Sequence, residues 1–344
     1  MQRFADLPAM QTAPTSPLLQ EYDDLMFCGG CGSKVSADLL ADVVGELLGD
    51  AAPADDAAQV DVPDNKQLIQ SVDHFRSVID DPYLQARIAV CHAFSDIYAC
   101  GGVADSALIA LTLPFAKPDI TRGLLTQIMQ GTVDQLEEEG ARLLGGHTSE
   151  GLELSIGFTV NGLVSEGMAW PKSGAQPGDA LILTKALGTG TLLAAYRQYQ
   201  ARGDWVQHAI DGMLLSNRAA AEELDQYDIH ACTDITGFGL AGHLEEMLGQ
   251  DRGARIKVSN LPVLPGSLAC LESGVSSSLH AANRRSVRYQ EAPEIFYDPQ
   301  TSGGLMVAVP ASIADSCVAS LRHAGYDAAS IIGEVTDGGQ WTLE

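Results

Sequence analysis

The chain has 344 residues, 46% of them apolar, 6% aromatic and 19% charged, proportions that suit one large or two medium globular domains rather than a disordered or fibrous polymer. Only 20 Lys and Arg face 45 Asp and Glu, a formal charge of −25, which argues against a broad electropositive surface for nucleic acid or anionic lipid. No apolar stretch approaches the ~18 residues needed to span a bilayer, and the first residues lack the basic start and apolar run of a secretory signal, so the cytoplasm is the expected address.

Residues 1–24, rich in Gln, Ala, Pro, Thr and Ser without sustained periodicity, read as a flexible leader or linker. From Ser36 the apolar positions Leu39, Leu40, Val43, Val44, Leu47 and Leu48 recur at helical spacing, with Ser36 as N-cap and Gly49 as stop. Residues 67–72 predict a buried strand ending at Asp73. Asp81 and Pro82 supply the cap and first turn of a helix running to about residue 99, halted by Gly101 and Gly102. A strand over 107–113, an amphipathic helix over 118–139 ended by Gly140, and an alternating strand over 152–164 complete a first half in which strand and helix alternate. The Pro-, Gly- and Ser-rich stretch 170–179 is the expected boundary, dividing the chain into a leader (1–24), an N-terminal domain (25–169) and a C-terminal domain (170–344). Beyond it, strands are expected over 180–184, 229–232, 304–309 and 331–335, and helices over 205–227, 239–248 and 311–324.

Seven cysteines, at 28, 31, 91, 100, 232, 270 and 317, are too few and too scattered for a disulfide framework. Cys91, Cys100, Cys232 and Cys317 lie in apolar segments and read as core thiols. Cys28 and Cys31 lie instead in the glycine-rich FCGGCGSK, with Lys34 three residues beyond Cys31. A cation that close favours thiolate, making Cys31 a candidate nucleophile or carrier of a soft chalcogen, with half a zinc site or a redox pair as rival readings.

Asp55, Asp56, Asp73, Asp96 and Asp234 stand in or beside apolar segments, where a carboxylate loses hydration and needs a cation, a metal or several donors. Singly each suits a cap or a turn. Together they suggest a shared divalent-ion site, and hard carboxylate oxygens suit Mg²⁺ shared with substrate phosphates. Helical spacing puts His92 one turn before Asp96, where a packed, hydrogen-bonded histidine is the better account. SDIYACG (95–101) and TDITGFG (233–239) echo one another weakly. The glycine clusters LLGGHTSEG (143–151) and DPQTSGGL (298–305) could let backbone N–H groups approach an anion, or be a β-bulge and a plain turn; neither has the spacing of a familiar phosphate loop.

In order along the chain, GGCGSK, DDAA, SVDHF, VIDDP, SDIYACGG, GGHT, LTKALGTG, TDITGFGLAGH, NRR, DPQTSGGL and IGEV make the sequence, from about residue 26 to 335, resemble the selenophosphate synthetase (selenide, water dikinase) family. That family sits with aminoimidazole-ribonucleotide synthetase and thiamine-monophosphate kinase. The resemblance implies a mixed α/β (α+β) two-domain fold whose N-terminal strands form a barrel at a homodimer interface. It implies ATP-dependent conversion of hydrogen selenide into selenophosphate, with AMP and phosphate as the other products. By position, Asp56, Asp96 and Asp234 would hold Mg²⁺, and Lys34, Pro53, Ala54, Asp55, Asp73 and Asp96 would meet the nucleotide. Gly146, His147 and Thr148 would reach the phosphates from the partner subunit, while Cys31, Lys34 and Asp73 would be catalytic. A requirement for a monovalent cation such as K⁺ stays open.

Departures from the family pattern are specific. Ser33 stands where many members have a second Cys, His92 where many have Asn, Thr148 where many have Ser, and Ala186 where many have Pro. The sequence also resembles the subgroup in which this module follows a flavin-dependent oxidoreductase domain, and that resemblance implies that residues 1–24 are a severed linker. Another ATP-dependent kinase on the same fold and a non-catalytic chalcogen-binding module are the alternatives.

Overall fold

The computed structural model describes residues 34–49 and 57–344, and the chain folds them around two sheets in turn. Helix α1 (Ala37–Leu48) opens after Ser36 and is closed by Gly49 at φ 52°. Then come β1 (Lys66–Arg76), α2 (Pro82–Ala99), β2 (Val103–Pro114), α3 (Pro118–Glu139), β3 (Arg142–Gly151) and β4 (Ser155–Ser165). These strands form one sheet in the order β1-β4-β2-β3, with β4 antiparallel to β1 and β2, and β3 parallel to β2. A register shift between Ala107 and Leu108, opposite Leu143 and Gly145, makes Leu144 the extra residue of a β-bulge.

The second half supplies β5 (Asp179–Leu183), α4 (Thr189–Arg197), α5 (Gly203–Leu214), α6 (Arg218–Leu224), β6 (Ala231–Asp234), α7 (Gly239–Leu248), β7 (Arg252–Ile256), α8 (Ser267–Glu272), α9 (His280–Ser286), β8 (Leu305–Pro310), α10 (Ala314–His323), β9 (Ser330–Asp337) and β10 (Trp341–Leu343). Its sheet runs β10-β7-β9-β5-β8-β6, leaving β6 at one edge. β5 after Asp179 and β8 before Pro310 are apolar and buried, as strands covered on both faces must be.

α2 is the element that joins the halves. The Asp81 carboxylate accepts the Leu84 N–H at 2.9 Å and Pro82 sits in the first turn, so the start is capped as the sequence predicts. Its apolar residues are not confined to one stripe, and from Gln85 to Ala99 nearly every side chain is buried. One side packs on β1 and β4, another on α3, and the rest on α5, α6 and the edge strand β6 of the second sheet. Trp170, in the stretch read as a boundary, packs against core residues of both halves, and its backbone N–H donates to the Cys100 carbonyl at 3.0 Å.

Several expectations need correction. β1 continues to Arg76, so Asp73 lies inside a strand rather than at its end. The helix expected over 205–227 is two, α5 and α6, because Ser216 and Asn217 spend their side chains elsewhere. Ser216 Oγ donates to Glu139, and Asn217 Nδ2 donates to the Gly303 carbonyl and Ser95 Oγ. α4 escaped sequence reading because Gly188 and Gly190 disguise its start, yet a Cβ on Gly190 would lie 2.3 Å from the Pro299 carbonyl oxygen. β3, β7, α8, α9 and β10 have no counterpart among the expected elements, so strand and helix do not strictly alternate in the first half and the strand over 331–335 is not the last. Of the four cysteines read as core, Cys91, Cys232 and Cys317 are buried; Cys100 is only partly so.

Glu139 at the end of α3 is 2% exposed and ties α2 and α3 to the connection between α5 and α6. It accepts from Tyr98 Oη at 2.5 Å, Ser216 Oγ at 2.9 Å and Gln135 Nε2 at 2.9 Å. Substituting it strands those donors without hydration. Glu139→Ala is expected to cost about 2 kcal/mol or more, read as a lower midpoint in urea unfolding; a midpoint unchanged from wild type would show that this carboxylate does not hold the halves together.

Candidate active site

Alternation along β1 turns Ile69, Ser71, Asp73 and Phe75 toward α2. On α2, His92 and Asp96 lie one turn apart on the face that meets them. Ser71 Oγ donates to Asp96 Oδ2 at 2.5 Å, and His92 Nε2 stands 3.8 Å from Asp73 Oδ1. Asp234 arrives from the other half, at the last position of β6, and is 5% exposed. Ser95, beside Asp96 on α2, hydrogen-bonds to the Asp234 side chain. Asp96 and Asp234 face one cavity of about 260 Å³ whose wall includes Ser71, Cys100, Trp170 and Lys172.

The electrostatics of this meeting are unfavourable. Burial, and then the Asp96 charge, push the Asp73 carboxyl from 3.8 up to about 6. Burial, followed by the Asp96 and Asp73 charges, pushes Asp234 up to about 7, although the Ser95 hydrogen bond works the other way. Lys172 is the cation lining the cavity among the described residues, and it is paired with Glu246 at 2.6 Å. Hard oxygens held together without a matching counter-charge are a donor set that suits a divalent cation. Two carboxylates do not complete such a site: among the described residues, no group of three or more His, Cys, Asp or Glu is arranged to hold a metal ion.

Other residues singled out in the sequence fall elsewhere. Cys28, Cys31, Pro53, Ala54, Asp55 and Asp56 lie outside the described residues. Lys34 pairs its backbone with Ser149 beyond the outer edge of β3, and the Val35 N–H donates to the Thr148 carbonyl at 3.4 Å. Asp73, Phe158, Ile109 and Gly146 form one cross-strand row, so Gly146 lies three strand spacings, about 14 Å, from Asp73. His147 is exposed on the face away from α2 and lines a groove with Leu108, whereas Thr148 is buried. Within one chain, Lys34 and the 146–148 segment therefore occupy the opposite edge of the sheet from the acids.

The glycine clusters have structural reasons of their own. A Cβ on Gly146 would lie 2.1 Å from the Ile109 carbonyl oxygen, so the bulged β2–β3 contact itself demands glycine. The 298–305 segment is not a plain turn but an interior one. Asp298 is fully buried and accepts from Thr191 Oγ1 at 2.6 Å and Gln300 Nε2 at 2.9 Å, and a Cβ on Gly303 would lie 2.0 Å from the Ile235 carbonyl oxygen. The echo between SDIYACG and TDITGFG is not structural, since Asp96 is helical and Asp234 ends a strand. Ser71 and Ser95 lie in the motifs SVDHF and SDIYACGG, but nothing in the sequence ties their hydroxyls to particular acids: Ser71 meets Asp96 through the packing of β1 on α2, and Ser95 and Lys172 meet Asp234 and its cavity only where the two halves pack.

This arrangement, a four-stranded first domain clasped through one helix to a six-stranded second, is that of AIR-synthase-related proteins. The family model "AIR synthase related protein, N-terminal domain" matches residues 54–164, and "AIR synthase related protein, C-terminal domain" matches residues 176–344. Among solved structures, hydrogenase maturation protein HypE in complex with ATP superposes with a TM-score of 0.72 at 21% identity, covering 92% of each chain. Thiamine-monophosphate kinase from Stenotrophomonas maltophilia gives a TM-score of 0.66 at 20% identity, over 90% of this chain and 97% of that one. Within this class, the selenide, water dikinase of Agathobacter rectalis is 37% identical over 328 residues, covering 90% of this chain and 95% of that protein. That of Clostridioides difficile is 32% identical over 343 residues, covering 93% and 97%. The chain belongs to the selenide, water dikinase family.

The strained acids make a measurable prediction. In the fold, Asp73 and Asp234 hold protons up to about pH 6 and about pH 7, whereas the unfolded chain releases them near pH 4. Stability is therefore greatest below pH 4 with respect to these groups and is lost as pH rises through 7. Asp234→Asn is expected to raise the thermal midpoint in EDTA at pH 8 by roughly 3 °C or more, with little effect at pH 4. An equal shift at both pH values, or none, in calorimetry would mean that the acid carries no electrostatic strain.

Proposed function

We propose that this chain is a selenophosphate-forming kinase: it transfers the γ-phosphoryl group of ATP to hydrogen selenide and releases AMP and phosphate after hydrolysis of the remaining ADP. The observation that carries the reading is the convergence of Asp73 and Asp96 from the first domain with Asp234 from the second, in a chain that is 37% identical to a selenide, water dikinase over 90% of its length. In this assignment residues 25–169 bind ATP and dimerise, and residues 170–344 close the site with Asp234. Asp96 and Asp234, joined by Asp56, would hold Mg²⁺. When bound, that ion would neutralise phosphate charge, the main demand of phosphoryl transfer. Asp73 orients the nucleotide and its attendant charges, Pro53, Ala54 and Asp55 cradle it, Lys34 balances the transferring phosphoryl group, and Cys31 presents the selenium. A K⁺ ion is a further requirement to be tested by omission.

The positions of Lys34 and the 146–148 segment, on the edge opposite the acids, support a site completed by two subunits. Leu68, Val72 and Leu108 are exposed on the sheet face away from α2 at 38%, 67% and 38%, the kind of surface a second copy would cover. A two-fold dimer through this face would carry Gly146, His147 and Thr148 of one subunit to the acids of the other. No helix among the described residues is long and apolar enough to cross a membrane, which is compatible with cytoplasmic chemistry on a small soluble anion. An upstream flavin-dependent domain would be a natural source of reducing equivalents for selenide.

Phosphorus NMR of the protein with ATP, Mg²⁺ and selenide should reveal AMP, phosphate and a selenium-coupled phosphorus resonance. ADP accumulation without that resonance would favour another kinase of the same fold. Asp96→Asn and Cys31→Ser should each abolish the selenium–phosphorus product, and full activity of Cys31→Ser would remove the thiol from the mechanism. The shared site has its own test. Inactive Asp73→Asn and His147→Ala proteins, mixed and allowed to exchange subunits, should regain about a quarter of wild-type activity, because half the dimers would be mixed and each would hold one intact site. No recovery despite exchange would place both residues in one subunit's site.

A further inference from the structure

His92 lies on α2 between the two domains, its side chain 12% exposed. The Ser302 backbone N–H, from the interior 298–305 segment of the second domain, donates to His92 Nδ1 at 3.0 Å. A backbone N–H can only donate, so Nδ1 must be the unprotonated nitrogen and a neutral ring carries its proton on Nε2. Nε2 is the atom that stands 3.8 Å from Asp73 Oδ1. At that separation the contact is electrostatic, and a movement of about 1 Å would bring it within hydrogen-bonding range. Burial, the largest influence on the ring, pulls its pKa down to about 4, so the imidazole is neutral at physiological pH.

The partner of this contact is held firmly. Ser302 is at φ 47°, a left-handed conformation unusual for a residue other than glycine. Its hydroxyl is buried without a hydrogen-bond partner among the described groups, so the side chain does not compensate the backbone strain. The main chain does: the N–H is spent on His92, and the carbonyl accepts from Lys185 Nζ at 2.9 Å. Lys185, 4% exposed, also donates to the Leu215 and Gly212 carbonyls at the end of α5. The Phe75 ring meets the imidazole edge-on at 5.1 Å and limits its rotation. A histidine serving only as filler would need neither this strained donor nor a fixed tautomer.

We propose that His92 is a positioning residue for Asp73: held by Ser302 as the neutral Nε2–H tautomer, its ring aims a hydrogen-bond donor at the Asp73 carboxylate and so ties that acid to the 298–305 segment of the second domain. The inference rests on the role given to Asp73 above, but the tautomer can be read without turnover. In the resting protein labelled with ¹⁵N-histidine, with His92→Phe used to assign the signal, Nε2 should be the protonated nitrogen at pH 7. Finding the Nδ1–H form or an imidazolium overturns the proposal. In the selenide-dependent reaction, His92→Phe should lower kcat about 10-fold or more with the KM for ATP within about twofold. His92→Gln, whose amide can still donate toward Asp73, should recover part of that loss. A kcat within twofold of wild type for His92→Phe, or a His92→Gln protein no better than His92→Phe, would reduce His92 to packing. Should wild type form no selenophosphate, the functional reading fails by itself, and the tautomer still decides whether Ser302 aims the ring at Asp73.

Discussion

Like charges set the terms for the rest of the structure. Asp73, Asp96 and Asp234 repel one another in partly dehydrated surroundings, and the hydrogen bonds that Ser71 and Ser95 give to Asp96 and Asp234 do not outweigh that repulsion, since the Asp73 and Asp234 carboxyls are still pushed up. Their closeness is enforced from outside by the burial of α2, whose side chains are claimed by two sheets and three helices. The stability gained by that burial offsets the cost of concentrating charge. An acid cluster under mutual repulsion is also one that favours a cation and the phosphates that accompany it.

The elements that sequence alone made legible are those governed by local physics. Pro118–Glu139 between a proline start and a glycine stop, and Pro82–Ala99 behind its Asp81 cap, follow from capping and periodicity. The misread stretches are those where tertiary demands override local pattern. Ser216 and Asn217 interrupt a helical run because their side chains bridge to Glu139, Ser95 and Gly303. Gly190 hides a helix start because the 298–305 segment passes too close for a side chain.

The site divides in the same way. Asp73, Asp96 and Asp234 could be picked out as carboxylates in apolar settings, since dehydration of a charge is visible in one dimension. What links them is not visible there. Ser71 reaches Asp96 across 25 positions and Ser302 reaches His92 across 210, and neither pairing leaves a periodic or compositional trace. Ordered motifs shared with a family supplied the functional assignment for Gly146, His147 and Thr148; the bulge beside them accounts for the glycine without reference to any ligand.

The way α2 is enclosed bears on how such a protein can be taken apart. With one flank against β1 and β4 and another against β6, the helix leaves neither domain with a finished surface. A chain severed near residue 170 would leave α2 with a bare side where β6 had been and strip Asp96 of its opposite number. The two halves are distinct as sheets yet share one helix as common core, so a protein split at the apparent seam would have to reassemble its fragments around α2 before Asp96 met Asp234.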